Sequence, residues 1–223
     1  MNVYFLVEGR RTEPYIYPAY LNHAIPGLEK VDSYDEVSSN SYYLFSSGGY
    51  PTILDDVNNA IEDINSCGLY DLLVVCLDSD GDTKEQVTKN VFDSIKTPLK
   101  NCEIIVLVQE ICFETWFLGN RKIVKRQPSS DFKPYLDFYD VRISDPVAMD
   151  KTDAFELSRS QFHAHYLKKM LLERRVSYSK SKPKHVASRA YYDELNKRIN
   201  DTDHLESFGD FIRLCDKISS QLK

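Results

Sequence analysis

No apolar run in this 223-residue chain approaches the roughly 18 residues needed to cross a membrane. Its first residues, MNVYFLVEGRR, lack the charge and cleavage pattern of a signal peptide. Cysteine is scarce: five, an odd number without close pairs, which speaks against a disulfide framework and makes the cytoplasm the expected address. Cys76, Cys112 and Cys215 sit in apolar contexts and read as small core residues. Positive charge is in deficit, and a net charge of -6 argues against a non-specific polybasic binder while leaving room for a local basic groove. There is no Gly-rich loop followed by Lys-Ser/Thr, so ATP hydrolysis of the P-loop kind is not expected. The five histidines make no zinc pattern; His163 and His165, two apart on an expected helix, diverge. Internal repeats and low-complexity segments are also missing. What is present is an ordinary globular composition, 42% hydrophobic and 28% charged, in a chain long enough for one large domain or a domain with an appendage.

Residues 3–7 (VYFLV) form a β-branched and aromatic run closed by Gly9, which predicts a buried strand. A helix follows, with Thr12 as N-cap and Pro14 in its first turn. A second strand is expected over 42–46, ended by Gly48–Gly49. A second helix then opens at Pro51–Thr52, carries Ile53, Val57, Ile61 and Ile64 at helical spacing, and stops before Gly68. Residues 72–77 predict the third strand, TKEQVTKNVFDSI the third helix and 102–108 the fourth strand, with the aromatic segment CFETWFLGN after it. The alternation of strand and helix over about 120 residues implies an α/β fold, a mostly parallel sheet flanked by helices. Residues 121–150 read as an extended loop or insertion. A helical C-terminal extension follows, in pieces near 153–175, 186–199 and 207–222. The expected plan is a core over 1–120 and a part, 121–223, packed on it.

The apolar run LLVVCLDSDGDT ends in three acids at alternate positions, Asp78, Asp80 and Asp82. In an open α/β sheet, ligands gather at the carboxyl ends of the strands. Glu8 lies past the end of strand one, and Asp78 and Asp80 past the end of strand three. If those strands are neighbours, three carboxylates converge, and their repulsion calls for a cation. Hard oxygen ligands suit Mg²⁺ or Mn²⁺. For DSDGD alone a solvated turn is an equally open reading; the joint placement with Glu8 weighs against it. An EF-hand beginning at Asp78 fails, having Thr83 where its Gly belongs and Lys89 where its Glu belongs. The haloacid-dehalogenase pattern Asp-x-Asp-Gly-Thr is closer, but Asp82 replaces the Thr and the segment follows the third strand instead of the first.

VEGRRTEP after the first strand, with LDSDGD after the third, resembles the Toprim domain. More narrowly, FLVEGRRTEPYIYPAYL and CFETWFLGN resemble the small Toprim proteins of the RloB and OLD-nuclease type found in bacterial anti-phage defence loci. The resemblance covers about 120 residues. It implies Glu8 as general acid/base or metal ligand, Asp78 and Asp80 as holders of the Mg²⁺, and Asp82 as an acid reaching the metal through water. It implies Glu13 as an acid of a second metal, although a first-turn acid favoured by the helix dipole is an equal reading. Glu114 falls at an acid of the RloB-type pattern and is counted with the substrate-binding residues; Glu110–Ile111 stands where that pattern has Asn-Pro.

Phosphodiester substrates require cations near such a site. Arg10 and Arg11 directly follow Glu8, and Lys180, Lys182 and Lys184 alternate with Ser in YSKSKPKH; each group also reads as a solvated turn or connector. RKIVKR, 121–126, is a third basic patch. The 15 tyrosines are many for this length, some available to stack on bases and others to pack. SSGGYP, after the second strand, is expected beside the acids. The resemblance implies a metal-dependent nuclease acting on DNA or RNA, tRNA included, in the control of a separate sensor ATPase. The alternatives are a non-catalytic Toprim-fold binding or regulatory subunit, and a phosphatase using the same aspartates.

Overall fold

Every residue of β1 (Val3–Val7) is buried, and its side chains alternate between two layers. Val3, Phe5 and Val7 enter one apolar cluster, while Tyr4 and Leu6 enter another. A strand covered on both faces belongs in the middle of a sheet. The computed structural model, which describes residues 1–222, puts it there. The element order continues with α1 (Glu13–Ala24), β2 (Glu29–Lys30), β3 (Ser41–Ser46), α2 (Thr52–Cys67), β4 (Leu72–Asp78), α3 (Lys84–Ser94) and β5 (Glu103–Gln109). Five helices follow: α4 (Phe113–Phe117), α5 (Lys133–Phe138), α6 (Arg159–Leu172), α7 (Arg189–Asp201) and α8 (Glu206–Ser220). The five strands lie in the order β2-β3-β1-β4-β5. All four pairings are parallel.

The fold is therefore α/β with helices over the sheet, as the strand–helix alternation implies. Several particulars differ from the sequence-based expectation. The sheet is wholly parallel, and it gains β2, a two-residue edge strand too short to show a period. Asp78 is the last residue of β4, paired with Gln109, and not a loop residue beyond it. Residues 121–150 hold α5 and a 3₁₀ turn at Pro146–Ala148. The helix expected from 153 begins only at Arg159, because Ser158 and Gln161 form a reciprocal capping box that fixes the start. Thr12 does precede α1, but its hydroxyl caps nothing there; it donates to the Lys180 carbonyl at 3.3 Å.

On one face of the sheet, α2 and α3 bury Ile53, Val57, Ile61, Val87 and Val91 against Leu73, Val75 and Leu77. On the other, α1 and the C-terminal helices share one cluster with Phe5, Val74 and Cys76. Trp116 lies inside that cluster, its ring 5.3 Å from Phe208 and 5.7 Å from Phe211, with its indole N–H donating to Ser207. Each such side chain taken from water contributes about 1.5–3 kcal/mol, so the C-terminal helices and the strands are stabilised by one apolar core.

A second tie is polar. Arg198 on α7 is fully buried, with no carboxylate in ion-pair range among the described residues. Its guanidinium donates to the carbonyls of Gly119, Val141 and Ser144 and meets His204 Nδ1 at 2.8 Å. One side chain thus fastens the end of α4 and the 139–145 segment to α7. Burial lowers its pKa to about 10, still leaving it charged at neutral pH. Arg198→Met keeps the bulk but leaves three carbonyls without this donor, two of them in buried contacts. It should cost about 3 kcal/mol or more, lowering the thermal midpoint by about 6–12 °C in a chain of this size. A drop under about 2 °C would show that water replaces the guanidinium without loss.

Candidate active site at the carboxyl edge of the sheet

The β1–β4 pairing runs from Val3↔Leu72 to Val7↔Cys76, so β4 outlasts β1 by two residues. At that step the backbone amide of Glu8 still reaches Cys76 O at 3.0 Å. The next amide of β4 on this side, that of Asp78, finds no strand carbonyl. It donates instead to Glu8 Oε2 at 3.0 Å, and Tyr50 N–H donates to Glu8 Oε1 at 3.2 Å. Glu8 thus brings β1, β4 and the Gly-rich turn after β3 together. Gly48 and Gly49 of that turn line the same cleft, as SSGGYP was expected to do.

The cleft measures about 470 Å³ and is lined by Glu8, Glu13, Asp78 and Asp80, with Arg10, Arg11 and Lys180 among the basic residues around it. Gly9 explains how Glu13 fits. A Cβ at that position would lie 2.3 Å from both Glu13 carboxylate oxygens, so the acid packs directly over bare backbone. Asp80 and Gly81 carry φ of 47° and 110°, a left-handed pair that turns the chain sharply after β4. Facing it, Ile111 has φ of 68°, a strained conformation for a β-branched residue. Two bonds clamp these loops together: Asp80 N–H to Ile111 O at 3.2 Å and Ile111 N–H to Ser79 Oγ at 2.9 Å.

Charge in the cleft is poorly compensated. Asp78 Oδ1 is sealed from solvent and accepts no hydrogen bond, and Glu114 Oε2 is in the same condition. Glu114 is 1% exposed; its other oxygen accepts from Tyr178 OH at 3.1 Å. Among the described residues, the one cation in ion-pair range of any of these five acids is Lys180, whose Nζ lies 3.6 Å from Glu114 Oε2. Burial pushes the Asp78 carboxyl well above the carboxylate range, helped by Glu13, Glu8, Glu114 and Asp80. Burial also lifts Glu8, against the pull of its two amide donors, and lifts Glu13, against the pull of Lys180. Partial burial opposes the charge of Lys180, yet Glu114, Cys112, Asp78 and Glu13 hold it above the ordinary lysine value.

The structure brings Glu8, Glu13, Asp78, Asp80, Arg10, Arg11 and Lys180 into one cleft, with Glu114 behind Lys180. Arg10 is anchored, its Nε donating to Ser47 O at 2.9 Å. Asp82 does not line this cleft; it turns into a neighbouring hollow of about 420 Å³ beside Lys84, Glu110, Glu206 and Asp210. Lys182 and Lys184 lie on the far side of a tight turn from Lys180, in an open hollow with Tyr15, Pro183 and His185. The RKIVKR patch is largely spent on ion pairs, Arg121 with Asp201, Lys122 with Glu194 and Lys125 with Glu173. Sequence reading missed the wall made by Ser160, Gln161 and Ala164 of α6, and Tyr178 as the Glu114 donor. Gln161 offered no signal, since its pattern reads as a helix cap.

The carboxylates are all hard oxygen ligands, and two of their buried oxygens, on Asp78 and Glu114, accept no hydrogen bond, which fits a divalent Mg²⁺ or Mn²⁺. Among the described residues no three acidic, histidine or cysteine side chains are already closed on a common centre; the acids share the cleft without converging on one point. No protein-family model matches this chain, nor does any curated protein or solved structure. Among the described residues no helix is long and apolar enough to cross a membrane.

The raised carboxyl groups set a pH dependence. The folded chain binds more protons than the unfolded one between the ordinary carboxylate range, near pH 4, and the raised values of Glu8, Glu13 and Asp78. Stability therefore falls as pH rises through that window. In chelator, Asp78→Asn should raise the thermal midpoint at about pH 7.5 by more than at about pH 5. In the wild type, millimolar Mg²⁺ or Mn²⁺ should add about 2.7 kcal/mol at a hundredfold excess over Kd, and Asp78→Asn should remove most of that gain. A midpoint indifferent to both metal and this substitution would mean that the carboxyls are held neutral at all these pH values.

Proposed function

We propose that the chain is a Mg²⁺- or Mn²⁺-dependent nuclease of the Toprim type that hydrolyses phosphodiester bonds of DNA or RNA. The observation that carries this reading is Asp78: a carboxylate with a sealed, unpartnered oxygen, surrounded by Glu8, Glu13, Asp80 and Glu114 with one lysine to answer them. A protein gains no stability from such a group of acids; a catalytic or binding role accounts for keeping it. Asp78 and Asp80 would hold the ion, with Glu13 and Glu8 beside them. When bound, it would neutralise charge on a phosphoryl oxygen and acidify a water.

The chain's own residues supply the rest. Glu8 is fixed by two backbone N–H groups, and its lifted pKa brings it closer to the operating pH of a general base that takes a proton from the attacking water. Arg10, Arg11 and Lys180 line the cleft and draw the phosphate backbone towards the acids. The strained Ile111 holds the loop carrying Asp80 in place, as strained residues near functional sites do. The defence setting, and control by a separate sensor ATPase, are supported by the resemblance of FLVEGRRTEPYIYPAYL and CFETWFLGN alone. A cytoplasmic address is supported by five free cysteines, the state of thiols in a reducing compartment. The rival reading, a binding subunit without catalysis, accounts less well for the acids, since such a subunit is free to lose charges that repel.

Incubation of the wild type with Mn²⁺ and mixed DNA and RNA should give cleavage products. Glu8→Gln should cut about 10²- to 10⁴-fold more slowly, with oligonucleotide affinity in Ca²⁺ near the wild-type value. Equal cleavage by wild type and Glu8→Gln would assign the products to a contaminant and leave the binding-subunit reading in possession.

A further inference from the structure

Of the 15 tyrosines, only Tyr15 and Tyr50 are exposed, at 47% and 56%. The others are buried or half-buried, many in edge-to-face contacts typical of packing, such as Tyr17 with Phe113 and Tyr20 with Tyr192. Neither residue lines the acid cleft itself, but each lies within two residues of one that does. The backbone of Tyr50 holds the Glu8 carboxylate, and the two residues before it line the cleft. Tyr15 stands two residues after Glu13 and lines the hollow of about 680 Å³ that also holds Lys182, Lys184 and His185.

The hollows around the cleft share lining residues. The acid cleft shares Arg11, Gln161, Ala164 and Lys180 with a third hollow of about 360 Å³, which adds Lys168 and His165. That hollow shares Ser181 with the one beneath Tyr15. Cations therefore line these hollows, Arg11, Lys168 and Lys180 on the acid side of the tight turn and Lys182 and Lys184 on its far side, on a chain whose net charge is -6. Exposed aromatics near cations are the arrangement that binds single strands: the cations follow the phosphates and the rings take unpaired bases. Within a duplex the base faces are already stacked on one another and offer nothing to a tyrosine ring. The duplex is also stiff, with a persistence length of about 150 base pairs, and adapts less readily to a surface than a single strand does.

Resting on the nuclease reading, we propose that the substrate is unpaired nucleic acid, a single strand or a single-stranded stretch, with bases stacked on Tyr50 and Tyr15. The test is fluorescence anisotropy in Ca²⁺ with labelled DNA and RNA strands of about 20 nucleotides and the DNA duplex of the same sequence, beside cleavage of the same three in Mn²⁺. Either single strand should bind at least about tenfold more tightly than the duplex, and the better of the two names the sugar. Tyr50→Ala and Tyr15→Ala should each weaken single-strand binding roughly 5- to 150-fold, the stacking contribution of one base. Tyr50→Phe should restore it, and duplex binding should not move. Duplex bound and cut as well as single strand, or alanine variants of unchanged single-strand affinity, would overturn this inference while leaving the nuclease reading standing. No binding or cleavage of any of the three would overturn both.

Discussion

A carboxylate stands in for a backbone carbonyl where β4 runs on past β1. The Asp78 amide must be satisfied, because a buried N–H without an acceptor costs on the order of 1–3 kcal/mol. Glu8 supplies the acceptor, and in doing so becomes fixed beside the side chain of the residue whose amide it holds. The same carboxylate takes the Tyr50 amide, so the turn after β3 is positioned by it as well. Much of the cleft follows from this bond: the spacing of Glu8 to Asp78, the place of Gly48 and Gly49, and the burial that, with the neighbouring acids, lifts both carboxyls. Asp80 follows from the left-handed turn clamped to Ile111, and Glu13 from the bare backbone at Gly9.

The molecule resolves a conflict between stability and charge by separating the two. Below the carboxyl edge, the strands are apolar and covered on both faces, and the aromatic packing around Trp116 joins the C-terminal helices to them. Above it, acids are crowded where no apolar burial is available. The core carries the repulsion, and Lys180 offsets part of it. Because Lys180 is more than half exposed, its ion pair with Glu114 is screened by water and adds little to folding. Its effect is local, in setting how much negative charge the cleft presents.

Sequence patterns revealed the strands and the acids well and the walls poorly. A run such as LLVVCLD is legible because a parallel strand buried on both sides must be apolar throughout, and an acid at its end then stands out. Glu8 and Asp78 were legible as partners for the same reason, although only the pairing register shows that one binds the amide of the other. Residues 121–158 carry few periodic positions, so α5 and the late start of α6 were hidden. Ser160, Gln161 and Ala164 reach the cleft from some 80 residues beyond Asp78 in a part of the chain whose docking no local pattern encodes. The lysines of YSKSKPKH look equivalent in sequence, but a tight turn sends Lys180 to the acids and Lys182 and Lys184 to the opposite side.

The wall of the cleft comes from α6 and from Lys180, while its acids all lie within the first 114 residues. During synthesis the acids therefore emerge long before the cation and the helix that enclose them. A nascent chain with its first 120 residues outside the ribosome holds every carboxylate of the site but no wall and no Lys180. Glu8 and Asp78 are then positioned by the strands alone, and enclosure by α6 and Lys180 waits for the last third of the chain. A cleft whose acids come first and whose wall comes last is completed only when nearly all of the chain has been made.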